Sequence, residues 1–412
     1  MVAIATCLAG IVFTSTIVTA QNTDVYVVVE EGSGNTRCKL WKNGVETNLT
    51  TYGHANSVFV SGNDVYVAGA VVTTTQYGNR GIARVWKNGV ATNITDGTKD
   101  ASAESVFVVG NDVYVAGYER YGPSNSLLDQ IIAAKVWKNG VETVLSSSSF
   151  AKSVFVLGND VYVAGYSTGG DEYVAQLWKN GAMTSLSDGT KTTYAESVFV
   201  SGSDVYVAGY EWSGGGSSVA QVWKNGVVSN LSAGTTYGYQ SNSVFVLGND
   251  VYVAGRENNL AQVWKNGVAT NFINGTATTS SALSVFVYEN DVYVSGNEGG
   301  FAKFWKNGVE TVLTDGTNTF ARATSIFVAN NSSSGVSNIM SNSSVTYYPN
   351  PVKDELFIES ETDIDKFEIY DIAGKQILTG NLSNEKSINV SALSAGTYLL
   401  KIGDFCNKFV KK

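Results

Sequence analysis

Apolar positions along this chain come in short bursts, and the bursts follow a fixed order. Ser57-Val58-Phe59-Val60 is followed by Val65-Tyr66-Val67-Ala68, then Ile82-Ala83-Arg84-Val85-Trp86, then Val90-Ala91-Thr92-Asn93-Ile94. Bursts of this kind, rich in β-branched and aromatic residues and bounded by Gly, Asn and Asp, predict short strands. The connections Ser61-Gly62-Asn63-Asp64 and Lys87-Asn88-Gly89 predict tight hairpins, because Asn-Gly accepts the positive φ angles that match strand twist. The first two strands are apolar at nearly every position, so both faces of their sheet must be covered.

The unit recurs. Trp-Lys-Asn-Gly begins at Trp41, Trp86, Trp137, Trp178, Trp223, Trp264 and Trp305. Asp-Val-Tyr-Val begins at Asp24, Asp64, Asp112, Asp160, Asp204, Asp250 and Asp291. Ser-Val-Phe-Val, once with Ile for Val, begins at Ser57, Ser105, Ser153, Ser197, Ser243, Ser284 and Ser325. Four strands repeating every 41 to 51 residues have the size of a propeller blade, and sheets packed around an axis cover both faces. The expected fold is all-β, a seven-bladed β-propeller over residues 21–328. The chain enters the repeat at a second strand, Asp24, and leaves it at a first strand, Ser325. The last strand should therefore complete the first blade and protect its edge.

Residues present in every copy are expected to be structural, since one active site needs one copy. Each repeated Trp can bury roughly 200 Å², an area term of up to about 5 kcal/mol before entropy. The repeated Asp sits at a turn, where its carboxylate should accept backbone N–H groups. It lacks the dense oxygen spacing of a calcium loop. The repeated Lys is expected in solvent. In a meander the 1–2 and 3–4 turns share one face, and here they hardly vary. The 2–3 and 4–1 loops share the other face and vary in length and sequence, which makes that face the expected binding side.

Two positions past the end of strand two, the copies carry Glu31, Val71, Glu119, Ser167, Glu211, Glu257 and Glu298. Just before the Ser of strand one they carry Asn56, Glu104, Lys152, Glu196, Asn242, Leu283 and Thr324. Tyr118, Tyr166, Tyr210, Trp212 and Arg256, with His54 and further tyrosines, lie nearby in sequence. Carboxylates and amides among aromatics suit polyol recognition, with rings stacking on sugar faces; they also suit a cationic peptide. The competing interpretation is a solvated polar rim with Tyr packed between blades. Ligand contact is assigned to Glu104, Glu119, Glu196, Glu211, Glu257, Glu298, Tyr118, Tyr166, Tyr210, Trp212 and Arg256.

Composition narrows the function classes. The 412 residues are 43% hydrophobic and 15% charged, with 43 Gly and only 3 Pro, too apolar for disorder. A net charge of −9 argues against a nucleic-acid partner, which needs a basic face. One His and three Cys argue against metal clusters and a disulfide framework. Neither a P-loop nor a dinucleotide fingerprint is present, and His54 lacks a nucleophile motif, so no cofactor is expected. Residues 1–20 carry an apolar run ending Val18-Thr19-Ala20, the pattern of an export signal cleaved near Ala20, though without a basic n-region. No stop-transfer pattern follows, so no membrane span is expected in the mature chain. Cys7 leaves with the signal, while Cys38 and Cys406 are expected as buried thiols.

After Val328 the repeat ends. Residues 329–344 are Asn- and Ser-rich and read as a linker. From Val345 charge is denser, with 8 Lys and 10 acids in 68 residues. Short alternating strands there predict a small β-sandwich. Tyr348-Pro349-Asn350-Pro351, Tyr370-Asp371-Ile372-Ala373-Gly374-Lys375, Leu393-Ser394-Ala395-Gly396-Thr397-Tyr398 and the final Lys408-Phe409-Val410-Lys411-Lys412 resemble the type A C-terminal sorting domain of the type IX secretion system of Bacteroidetes. The resemblance implies Sec export, handling by the type IX machinery, and release or attachment at the cell surface. It implies that Pro349, Asn350, Pro351, Gly374, Gly396, Lys411 and Lys412 belong to the sorting motif. The first functional expectation is a secreted or surface-displayed binding module for a glycan or surface partner. The alternatives are a polysaccharide-active enzyme using acids of the variable face and an adhesive protein without a pocket.

Overall fold

The computed structural model describes residues 23–32, 36–75, 78–121, 131–214, 217–232, 240–270, 279–316, 320–330, 345–360, 366–371, 375–382, 386–402 and 405–412. The expected signal (1–20), most of the expected linker (331–344) and Gly374 lie outside these residues. The chain divides into two compact units, Met1–Ser332 and Ser333–Lys412.

The first unit is the propeller. Its described residues form seven four-stranded antiparallel sheets. The second blade is representative: Gly53–Ser61, Asp64–Thr75, Gly78–Lys87 and Val90–Asn93, paired in that order. The first blade joins the two ends of the unit, with Ala321–Asn330 paired to Thr23–Glu31, then Arg37–Lys42 and Val45–Thr50. The chain's own finish therefore supplies the innermost strand of its own start.

Two rings of identical residues lock the blades together. Phe59, Phe107, Phe155, Phe199, Phe245, Phe286 and Phe327 form a closed heptagon, neighbouring centroids 4.7–5.1 Å apart. Two residues earlier in each strand, the Ser hydroxyl accepts the backbone N–H of the next blade's Val or Ile at 3.1–3.4 Å, closing with Val58 N–H to Ser325. Serine is small enough to sit at a crowded axis and still offer an acceptor to an N–H that the bulged strand leaves unpaired. Six of the repeated Trp are at most 2% exposed, packed between blades, while Trp41 is half-buried against Phe304.

At the opposite ends of the strands the repeat builds a second device. Asn43, Asn88, Asn139, Asn180, Asn225, Asn266 and Asn307 all have φ between 48° and 53°, as the Asn-Gly hairpins require. Each donates its side-chain N–H to the repeated Asp of its blade at 2.6–2.8 Å. Each also accepts the N–H of the following Val at 2.8–2.9 Å. The Asp therefore receives a side-chain amide and not the backbone N–H groups expected from sequence. Its other oxygen takes the repeated Lys at 2.7–2.8 Å. The same Lys lies 5.0–5.3 Å over the ring of the Asp-Val-Tyr tyrosine. The lysines lie in solvent as expected, about half exposed, and are held there by these contacts.

The second unit is a small two-sheet sandwich. Val345–Tyr348, Glu355–Ser360 and Ser387–Asn389 form one sheet; Gln376–Asn381, Lys366–Asp371, Gly396–Ile402 and Phe405–Lys411 form the other. Val352, Leu356, Ile358, Phe367, Ile369, Ile388, Leu400 and Phe409 share its core. The Tyr-Pro-Asn-Pro segment is held on the last strand. Asn350 accepts the Val410 N–H at 2.9 Å, Val352 pairs beside Lys411, and Gly396 stands opposite Lys411 in the sheet. Pro349, Pro351 and Lys412 are exposed.

Candidate functional site

The axial end of the variable face is shaped by one irregularity repeated in every blade. The ladder between strands one and two slips at Asn56, Glu104, Lys152, Glu196, Asn242, Leu283 and Thr324. A β-bulge places two residues opposite one and re-aims the extra side chain. Strand one thus begins earlier than the apolar pattern suggests: these residues lie inside the strand, and the bulge hides them from alternation. The bulge also explains the Gly that follows Ala or Ser inside strand two of blades two to seven. A Cβ on Gly69, Gly117, Gly165, Gly209, Gly255 or Gly296 would stand 1.9–2.0 Å from a strand-one carbonyl oxygen, closer than any real contact.

The seven bulge side chains wall a pocket of ≈500 Å³ whose floor is the seven serines. Below that floor the Phe heptagon places its centroids about 5.5 Å from the axis, and each of its rings is partly exposed. A second cavity of ≈300 Å³ adjoins it between blades two and three, lined by Tyr52, Asn79, Asp100 and others, and shares His54, Ser102 and Tyr118 with it.

The pocket is not sevenfold in chemistry. Asn56 and Asn242 donate to the Ala103 and Ala282 carbonyls of the next blade, at 2.9 and 2.8 Å, and Thr324 donates to Ala55 at 2.7 Å. These three staple neighbouring blades. On blades three to five the staples give way to charge. Lys152 Nζ lies 2.6 Å from Glu104, which also accepts the Ser102 hydroxyl at 2.7 Å. Burial works to raise the Glu104 carboxyl, but Lys152 and Ser102 outweigh it and hold it below its ordinary value. Burial works to lower Lys152, and the two flanking glutamates push it up instead. Glu196 is left on the far side of the lysine. Burial raises its carboxyl above the ordinary value, Lys152 opposes this and Glu104 adds to it. One pocket thus holds two carboxylates displaced in opposite directions.

The rim continues the asymmetry. Three positions before each Ser stand His54, Ser102, Phe150, Tyr194, Gln240, Ser281 and Arg322, each paired across the ladder with a strand-two residue. On blades three to five these pairs form an aromatic arc. Tyr118 meets Phe150 edge-on at 4.8 Å, Phe150 meets Tyr166 at 5.2 Å, Tyr166 meets Tyr194 at 4.8 Å and Tyr194 stacks on Tyr210 at 4.5 Å. Burial pushes the Tyr118 hydroxyl up to about 12. Across the pocket stands a charged cluster. Glu30, 1% exposed, lies 2.7 Å from Arg322 and 3.4 Å from His54 Nδ1, and accepts the Ala55 N–H at 2.9 Å. Burial raises Glu30, yet His54, Arg322 and Ala55 together keep its carboxyl below the usual range, and the Glu30 bond raises the imidazole.

Of the residues singled out from sequence, Glu104, Glu196, Tyr118, Tyr166 and Tyr210 come together at this axial site. Glu119 and Glu298 do not. They are 5% and 4% exposed and pair with Lys135 and Lys303, which also bind Glu142 and Glu310 on strand four. Glu31, Lys39 and Glu46 repeat that triad in blade one. Glu211 pairs with Lys191, and Glu257 stands opposite Leu260 at the end of its strand. Trp212 is 47% exposed, and Arg256 faces Gln240 across the ladder. Glu30, Ser102 and Arg322 escaped the sequence argument. Aligning the copies three positions before the Ser exposes Ser102 and Arg322, because that column holds six residue types in seven copies. Among the described residues no group of His, Cys, Asp and Glu could hold a metal ion, and no helix is long and apolar enough to cross a membrane. Cys38 is buried and free.

Residues 346–412 match the family of the secretion system C-terminal sorting domain. The chain therefore carries a type IX sorting tail behind a β-propeller and is a secreted or cell-surface protein handled by that secretion machinery. No curated protein sequence is significantly similar to it. Among solved structures, it is similar to the acylaminoacyl peptidase of Pyrococcus horikoshii, at 14% identity and TM-score 0.42, over 72% of this chain and 51% of that one. It is also similar to the β-propeller domain of the Trilobed protease from Pyrococcus furiosus, at 11% identity and TM-score 0.42, over 72% of this chain and 95% of that one. The chain spans about half the length of the acylaminoacyl peptidases it matches.

Proposed function

We propose that the propeller is a glycan-binding module that acts outside the cell, with its ligand seated in the axial pocket. One observation carries this reading: the seven bulge side chains, positions where otherwise repeated blades differ in chemistry, converge on one polar pocket. Repetition preserves what packing needs, and the departure from repetition marks what packing does not explain. Amides, a lysine and two carboxylates offer hydroxyl groups both donors and acceptors, and the aromatic arc beside them offers ring faces to C–H surfaces. A glycan array probed with residues 21–328 should return hits that weaken in Glu196→Gln and Lys152→Met. An array with no hits sinks the reading.

A second reading has its own support. Glu104 and Glu196 are pushed apart in proton affinity within one pocket, the arrangement by which paired carboxylates divide acid and base roles. On that reading the protein hydrolyses glycosidic bonds, and reducing-sugar release from array hits decides between the two. Export supplies a separate test. Deletion of residues 345–412 should hold the protein in the periplasm, and N-terminal sequencing of the exported form should begin near Gln21.

A further inference from the structure

The side cavity between blades two and three has no role in the reading above. It shares His54, Ser102 and Tyr118 with the axial pocket as lining residues, and it is polar and aromatic like its neighbour. Tyr52, which accepts the Asn79 amide at 2.6 Å, lines it apart from the residues that the two cavities share. Asp100 is fixed by the Gly81 N–H at 2.7 Å. The repeated serines line the base of the axial pocket, and the Phe heptagon stands two residues further along the same strands. A polymer lying across the mouth touches only the rim; a chain end descends among the bulge residues.

We infer that the site recognises the end of a glycan chain, with the terminal unit in the axial pocket and the preceding unit in the side cavity. This rests on the glycan reading and adds direction and length to it. Together the cavities fall within the usual range for ligand sites, about 300–1,000 Å³, so recognition spans about two to three sugar units. The ligand leaves along blades two and three, over the Tyr52 edge, because that is where the cavity continues among the described residues.

The test uses the full chain and ladders of malto-, cello- and laminari-oligosaccharides from one to six units, titrated calorimetrically. End recognition predicts that affinity per mole of chains rises at least tenfold from one unit to three and is then flat to six. Tyr52→Ala should return the trisaccharide to within a few fold of the monosaccharide while leaving monosaccharide affinity and thermal midpoint unchanged. Internal recognition predicts instead that the hexasaccharide, with more registers to offer, binds about fourfold tighter than the trisaccharide. That result overturns the inference and leaves the glycan reading standing. No binding by any ladder removes both. If Tyr52→Ala weakens monosaccharide and trisaccharide alike, the side cavity holds no second unit and the inference fails.

Discussion

The two ends of the propeller's strands are built from the same repeat and have diverged in opposite ways. At the hairpin end every blade carries the same Asp, Lys, Asn and Tyr in the same geometry, seven times over. At the bulge end the backbone geometry is equally uniform, yet Asn, Glu, Lys, Glu, Asn, Leu and Thr occupy one column. Uniform backbone with uniform side chains is scaffolding. Uniform backbone with dissimilar side chains is a frame whose chemistry can vary from blade to blade, and between blades three and four the Glu104–Lys152 ion pair stands where Asn56, Asn242 and Thr324 make neutral staples elsewhere.

Four substitutions sharpen or break that contrast. Trp178→Ala removes a fully buried side chain and should cost about 3–5 kcal/mol, read by denaturant titration, with affinity per folded molecule unchanged. Gly165→Ala is the case where the ends should not separate. Its Cβ would meet the Phe150 carbonyl at 1.9 Å, so it should cost about 1–3 kcal/mol and also weaken binding by displacing Lys152. Loss of stability with intact binding there would show that the bulge does not position the site. Asn180→Ala loses two hydrogen bonds at a positive φ of 52° and should cost about 1–2 kcal/mol, again without touching affinity.

Glu196→Gln should have the smallest effect on stability and the largest on binding. The folded carboxyl is raised above 4.5, so the wild type loses stability as pH climbs through the folded value, and the glutamine variant does not. The variant should therefore be as stable as wild type below 4.5 and more stable at neutral pH, measured by thermal melts across that range. Glu104 and Glu30 act with the opposite sign. Their lowered carboxyls stabilise above 4.5, and that contribution is lost as pH falls through their folded values. A Glu196→Gln protein that binds as wild type, or melts lower at neutral pH, would place Glu196 with the scaffold.

Much of this was legible in the chain. Three repeated motifs in fixed order predicted seven blades, and the entry and exit points predicted which strand closes the ring. The column before the repeated Ser pointed to the bulge residues, although as a loop and not as strand. The column two past strand two misdirected the argument: five glutamates there looked like one rim. Glu119 and Glu298 turn inward because Lys135 and Lys303 stand beside them on strand three, and Gln occupies that column in blades four to six. Side-chain direction within a bulged ladder does not follow simple alternation, so sequence columns alone could not sort acids that face the axis from acids that face a lysine.

What the amino-acid order settled by itself was local and repetitive: strand lengths, hairpin chirality, the small residues that a crowded axis tolerates, and the tail that directs export. Only tertiary closure decided which side chains share a pocket. Glu30, His54, Glu104, Lys152, Glu196 and Arg322 are spread over nearly three hundred positions, and their mutual electrostatics exist only once the ring brings them to a common axis. Proximity among distant residues is a property of the closed ring, and charge responds to proximity, not to order along the chain.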